Sequence, residues 1–192
     1  MKLNKTAVYY HGLGGESSQH IKQKMAEYGY YLVTEDVDFY KEWFKDRGKS
    51  FMEKQIKKFQ KVDLIIGLSF GGHPAYLLSK ATGADLLLIN PAVNRVRSTT
   101  GIGSYITAKC DKPSNIEVYF GEHDYVVPRQ YTLEFFQKTG EIINAYMVRY
   151  MQHCMDYQEF DFIVENSELV KNNCLKKPIK KHDRYRKTIL FN

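Results

Sequence analysis

Val62-Asp63-Leu64-Ile65-Ile66-Gly67-Leu68-Ser69-Phe70-Gly71-Gly72-His73 is the stretch on which the reading of this chain turns. An apolar run of this length, short and almost unbroken, reads as a strand buried on both faces, the kind a parallel sheet contains. Gly67-Leu68-Ser69-Phe70-Gly71 follows the Gly-x-Ser-x-Gly pattern, and a helix is predicted from His73 to about Lys80. A serine at a strand-to-helix hairpin has to adopt a strained backbone. Small residues two before and two after it let the neighbouring chains approach. Its hydroxyl then stands over the carboxyl ends of the strands, where open α/β sheets hold their ligands. A plain tight turn also uses Ser and Gly, but it needs no buried strand before it and no helix after it.

Outward from this stretch, short apolar runs alternate with longer amphipathic ones. Thr6–Tyr10, Tyr30–Thr34, Asp85–Asn90, Ile116–Phe120 and Ala145–Tyr150 are predicted strands. Ser17 or Ser18 is placed to cap a helix running to about Tyr28, and further helices are predicted over Ser50–Gln60, Arg129–Lys138 and Asp156–Glu165. The acidic-aromatic stretch Glu35–Arg47 reads as a surface loop or short helix. Ala92–Pro113, with Gly101, Gly103 and several Ser and Thr, reads as an excursion loop. Apolar strands separated by helices indicate a mostly parallel sheet with helices on both faces, a three-layer sandwich.

Three further segments fall where chemistry would need them. His11-Gly12-Leu13-Gly14 follows the first strand, so the backbone amides of Leu13 and Phe70 are candidates for an oxyanion hole. A phosphate-cradling loop would need a nucleotide fingerprint, GxGxxG or GxxxxGK, and neither is present. His11 itself reads as a structural hydrogen bonder. Gly121-Glu122-His123-Asp124-Tyr125-Val126-Val127-Pro128 places an acid just past a strand end, with Glu122 as the competing carboxylate and Val126 and Val127 behind Asp124 to bury it. His153 follows the last strand and precedes the last helix. Ser69, Asp124, His153 is the order nucleophile, acid, base. His20, His73, His123 and His182 have no metal-ligand spacing, so no metal site is expected, and hydrolysis through a serine, a histidine and an acid needs no cofactor.

Composition bounds the rest. The chain has 192 residues, 43% hydrophobic and 26% charged, which suits one soluble globule and excludes a disordered, collagen-like or coiled-coil chain. No apolar run is long enough to span a membrane, and the first residues lack the apolar core of a signal peptide. Cys110, Cys154 and Cys174 are odd in number, widely spaced and outside any CxxC pattern, which fits reduced thiols and a cytoplasmic location. Cys154 beside His153 is a poor nucleophile–base pair, because adjacent residues usually point apart. The net charge of +6 belongs to the end of the chain. Residues 171–192 hold eight Lys or Arg against one acid, while the other 170 residues hold 20 basic and 21 acidic residues. The expected division is therefore a domain over 1–168 and a basic tail over 169–192, the tail being able to contact nucleic acid or another anionic partner.

With these segments quoted, the chain resembles the small bacterial esterases of the YqiA/YcfP type, within the α/β-hydrolase superfamily. The resemblance runs from Val8 to about Glu165. It rests on YYHGLGGESSQHIKQKMAEYGY, GLSFGGHPAYLLSKATGADLLLINPAVN, FGEHDYVVP and HCMDYQEFDFIVEN in that order, and Asn90-Pro91-Ala92-Val93 is particular to that group. It implies a compact cap-less α/β-hydrolase with Ser69 as nucleophile, Asp124 as acid and His153 as base. The expected activity is hydrolysis of a small-molecule carboxylic ester or thioester through an acyl-enzyme. A short flap over Ala92–Pro113 favours short acyl chains, with Ile102 and Tyr105 as the flap residues nearest the acyl group. The rival reading is a catalytically inactive member of the fold that binds nucleic acid or protein through its basic tail.

Overall fold

The computed structural model describes residues 4–34, 36–44, 46–93 and 114–171. Six strands form one sheet: β1 (Lys5–Tyr10), β2 (Tyr30–Thr34), β3 (Leu64–Leu68), β4 (Asp85–Ile89), β5 (Ile116–Gly121) and β6 (Asn144–Val148). Their order is β2-β1-β3-β4-β5-β6, and every pairing is parallel. The helices are α1 (Gln19–Glu27), α2 (Phe39–Phe44), α3 (Lys49–Lys58), α4 (Gly72–Thr82), α5 (Arg129–Thr139), α6 (Tyr157–Asn166) and the single turn α7 (Glu168–Lys171).

Side chains alternate across a strand, so one strand feeds two cores. Val8, Tyr10, Ile65, Leu86 and Leu88 face a core closed by α2, α3, α4 and α5. Ala7, Tyr9, Leu64, Ile66, Leu87 and Ile89 face another, closed by α1, α6 and α7. That is the three-layer sandwich with a sheet buried on both faces. Local capping supports it. The Ser18 hydroxyl accepts from the Ile21 amide at the start of α1, and Asp156 and Glu159 form a reciprocal capping box at the start of α6. Among the described residues no helix is long and apolar enough to cross a membrane.

The 35–47 stretch, expected as a surface loop or short helix, does hold a short helix, but one face of it is not at the surface. Its helix α2 drives Phe39 and Trp43 into the core, where they are 1% and 2% exposed. Fully burying one such aromatic is worth about 2 kcal/mol over leaving it in water, which outweighs the acidic residues flanking it. Trp43 lies edge-on to Phe51, Phe70 and His73. Gly48 allows this, since any Cβ there would fall 2.6 Å from the Trp43 ring and the backbone turns left-handed at φ +79°.

At the opposite end of β5 from its Gly121 terminus, Glu117 is buried to 1% exposure. Its carboxylate accepts from the amides of Glu168 and Leu169 and so anchors α7, whose Leu169 and Val170 are buried. Burial pushes its pKa up, only partly opposed by the Ser167, Glu168 and Leu169 donors. A carboxyl whose folded pKa lies above its unfolded value favours the fold below the unfolded pKa. That contribution is lost as pH rises through the folded value. Glu117→Gln cannot titrate, so its melting temperature relative to wild type should increase as pH is raised from 4 to 8. A difference that stays flat or runs the other way would show that the donors outweigh desolvation.

Candidate active site

Strand order reverses direction at β1: the chain goes to β2 on one side and then to β3 on the other. The chain leaving β1 turns to α1 on one face of the sheet and the chain leaving β3 turns to α4 on the other, and the carboxyl side of such a switch point is where open α/β sheets bind ligands. Ser69 stands at the end of β3, in a single 3₁₀ turn (Ser69–Gly71) that runs into α4. Its φ is +52°, a left-handed value that a serine adopts only when its surroundings impose it. The surroundings are close. A Cβ on Gly67 would lie 2.7 Å from Ala75 Cβ, and one on Gly71 would strike the carbonyl oxygens of Tyr10 and His11. The glycines of the Gly-x-Ser-x-Gly pattern are thus required by the packing of β3 and α4 against β1.

Ser69 Oγ donates to His153 Nε2 at 2.8 Å, and His153 Nδ1–H donates to Asp124 Oδ2 at 2.9 Å. The other carboxylate oxygen, Asp124 Oδ1, accepts from the amides of Val126 (2.9 Å) and Val127 (3.0 Å). The Asp124 side chain is 4% exposed and that of His153 17%. The Asp124 carboxylate is therefore held from both sides in a nearly dry place, while the His153 ring keeps some contact with solvent. Three residues from three strand ends, 55 and 29 positions apart in sequence, form one hydrogen-bonded chain.

Glu122, the competing carboxylate, is committed elsewhere: it accepts from the Tyr150 amide at 3.2 Å. His123 lies over Tyr125 and edge-on to Tyr150. His73 is fully buried, donates from Nδ1 to the Val93 carbonyl at 3.0 Å, and burial draws its pKa down to about 4. It is a neutral core residue. His20 is half-buried and pairs with Asp161 at 2.8 Å. Cys154 is an exposed free thiol. Among the described residues no group of three or more His, Cys, Asp or Glu is disposed to hold a metal ion.

Phe70 follows Ser69 in the chain, and the loop that carries Leu13 comes close to Ser69 at Gly12. A Cβ on Gly12 would lie 3.2 Å from Ser69 Cβ and 3.7 Å from its Oγ, so the chain leading into Leu13 passes directly beside the serine. His11 shapes that loop. The Val37 amide donates to its Nε2 at 2.8 Å, which leaves Nδ1–H to donate to the Gly12 carbonyl at 2.6 Å. Phe70 packs on Phe39 and Trp43, so the α2 wedge supports the turn that carries the Phe70 amide. Ile102 and Tyr105 lie outside the described residues.

No family model and no curated protein matches the chain. Its likeness to solved structures is extensive. SOBER1 from Arabidopsis thaliana matches over 88% of this chain and 98% of its own, with TM-score 0.58 and 13% identity. S-formylglutathione hydrolase (FrmB) from Staphylococcus aureus matches over 85% and 82%, with TM-score 0.57 and 14% identity. A protein from Xanthomonas campestris pv. campestris, assigned to the hydrolases of the alpha/beta superfamily, matches over 85% and 100%, with TM-score 0.56 and 12% identity. At such identities the shared property is the fold. The chain has the α/β-hydrolase fold, with a six-stranded parallel sheet and a serine at the turn after β3.

Proposed function

We propose that this protein is a serine hydrolase that cleaves carboxylic esters or thioesters of short acyl chains. The observation that carries the reading is the hydrogen-bonded chain from Ser69 Oγ through His153 to Asp124. In the first half-reaction Ser69 Oγ bonds to the substrate carbonyl carbon while its proton passes to His153 Nε2. Asp124, accepting from Nδ1–H, holds the ring in the tautomer whose Nε2 is free to take that proton and stabilises the imidazolium. The amides of Leu13 and Phe70 receive the oxyanion. One such donor is worth about 3 kcal/mol of barrier. The carbon–oxygen or carbon–sulfur bond to the leaving group then breaks, and His153 returns the proton to that alcohol or thiol. Water, deprotonated by His153, repeats the sequence on the acyl-serine and releases the acid.

Kinship with the YqiA/YcfP-type esterases, drawn from the four sequence blocks, belongs to the same proposal. So does the thioester option, which the name of S-formylglutathione hydrolase illustrates among the similar folds. The short-chain preference follows from the length of 92–113, 22 residues that include Ile102 and Tyr105 and are too few for a deep apolar tunnel. Each buried methylene is worth about 0.8 kcal/mol, so a site that leaves the chain in water gains little from lengthening it. The test is kcat/KM over nitrophenyl esters from acetyl to palmitoyl, with labelling by a fluorophosphonate. Acetyl to hexanoyl esters should be turned over best, with a decline from octanoyl onward. A steady rise to palmitoyl would overturn the open site. Absence of both ester or thioester hydrolysis and labelling would overturn the hydrolase reading.

A further inference from the structure

We propose that Asn90 is the positioning residue that fixes the acid and the base of the triad to one another. This deepens the hydrolase reading and, as far as activity is concerned, rests on it. Asn90 directly follows β4 and touches no reacting atom. Its side chain is 1% exposed, and its φ of +44° is left-handed, so both burial and backbone are imposed on it. Its Oδ1 accepts from the Gly121 amide at 2.6 Å, and its Nδ2 donates to the carbonyls of Gln152 at 2.7 Å and His153 at 3.3 Å. One amide group thus bridges the two loops that carry Asp124 and His153.

Gly121 is held at both its backbone groups, since its carbonyl accepts from the Asp124 amide at 3.3 Å. Position therefore passes from Asn90 through Gly121 to the acid, and directly from Asn90 to the backbone of the base. The same segment also reaches the nucleophile: the Ala92 amide donates to the Ser69 carbonyl at 2.9 Å. His153 needs such a brace because it lies between β6 and α6, in a stretch without helix or strand. Its ring must still span two partners at 2.8 and 2.9 Å. Other links between the two loops, His123 amide to Met151 carbonyl and Tyr150 amide to Glu122, lie on the far side of Gln152 in the chain. Asparagine suits the place for two reasons. It tolerates the left-handed backbone, and its amide offers an acceptor and donors on one short side chain.

The deciding variant is Asn90→Gly, which keeps the left-handed backbone and deletes both halves of the brace. Its kcat for acetyl ester should fall on the order of 10- to 100-fold, as for a misplacement of about 1 Å at a reacting centre, with KM nearly unchanged. A low-field proton resonance of His153 Nδ1–H is expected in wild type, and it should broaden or vanish in the variant, because that bond is no longer held. The resonance needs no turnover. If wild type hydrolyses no ester, the hydrolase reading fails alone, and the spectra of wild type and variant still decide the role of Asn90. Should Asn90→Gly not fold, Asn90→Asp carries the same measurements. It is the same size and keeps the acceptor for Gly121, but as a carboxylate it lacks the donors to the base loop. A folded variant with wild-type kcat and an unchanged His153 resonance overturns the proposal. Loss of folding in both variants overturns it as well, since Asn90 would then hold the fold and not the base.

Discussion

Ser69→Ala is expected to lower kcat for a nitrophenyl ester by about 10⁴- to 10⁶-fold and to abolish fluorophosphonate labelling. The covalent route disappears with Oγ, and what remains is binding and oxyanion stabilisation of a direct attack by water. Folding should be spared. The hydroxyl bonds to His153, and the strained turn is enforced by Gly67, Gly71 and Gly72 packing against β1, α4 and Pro91, which the substitution leaves alone. Stability should stay within about 0.5 kcal/mol of wild type, the usual range for a change away from core packing. Melting temperature and turnover measured on one preparation check both halves. Retained wild-type turnover would remove Ser69 from the nucleophile's role.

Asp124→Asn should lower kcat by about 10⁴-fold while the protein folds as before. The amide is the same size as the carboxylate, and its oxygen still accepts from the Val126 and Val127 amides. Its NH₂ then faces His153 Nδ1 and needs an acceptor there. The ring responds by moving its proton to Nε2, the atom that has to take the proton of Ser69. Geometry survives and protonation is wrong. KM should change little, since the carboxylate is taken up by His153 and by the Val126 and Val127 amides. A loss smaller than tenfold would mean that Asp124 does not orient the base. Glu122→Gln, otherwise expected to retain most activity, would then be the variant to measure.

Much of this site is legible in the sequence because its chemistry sits at strand ends, and strand ends are announced by short apolar runs. Ser69, Asp124 and His153 each follow such a run, and the structure joins them in a single hydrogen-bonded chain. The ground for preferring Asp124 to Glu122 holds only in part. Val127 is buried but Val126, expected to help bury the acid, is exposed, and Asp124 is held by the backbone amides of both, which apolar side chains do not announce. The role of Asn90 was not legible. Asn-Pro at a strand end reads as a turn, and nothing local says that its amide will meet Gly121, Gln152 and His153. Nor did the acidic-aromatic stretch reveal its inward face. In a helix of only six residues, periodicity is too short to measure, and burial is decided by what lies opposite.

What the sequence by itself determined is the succession of elements, the parallel sheet and the turn that presents Ser69. These depend on interactions among near neighbours: period-two or unbroken apolar runs, caps such as Ser18 and Asp156, and glycines where a side chain would collide. Only the tertiary structure decided which distant groups meet. The His153 ring finds Ser69 from 84 positions away, Asn90 joins the two loops from 31 and 62 away, and Glu117 anchors α7 from 51 away. Such meetings carry no local signal, because a side chain's propensity depends on its own stretch of chain while its partners depend on the strand order. Here that order sets β3, β4, β5 and β6 side by side and parallel, so the loops that carry Ser69, Asn90, Asp124 and His153 all leave the same edge of the sheet.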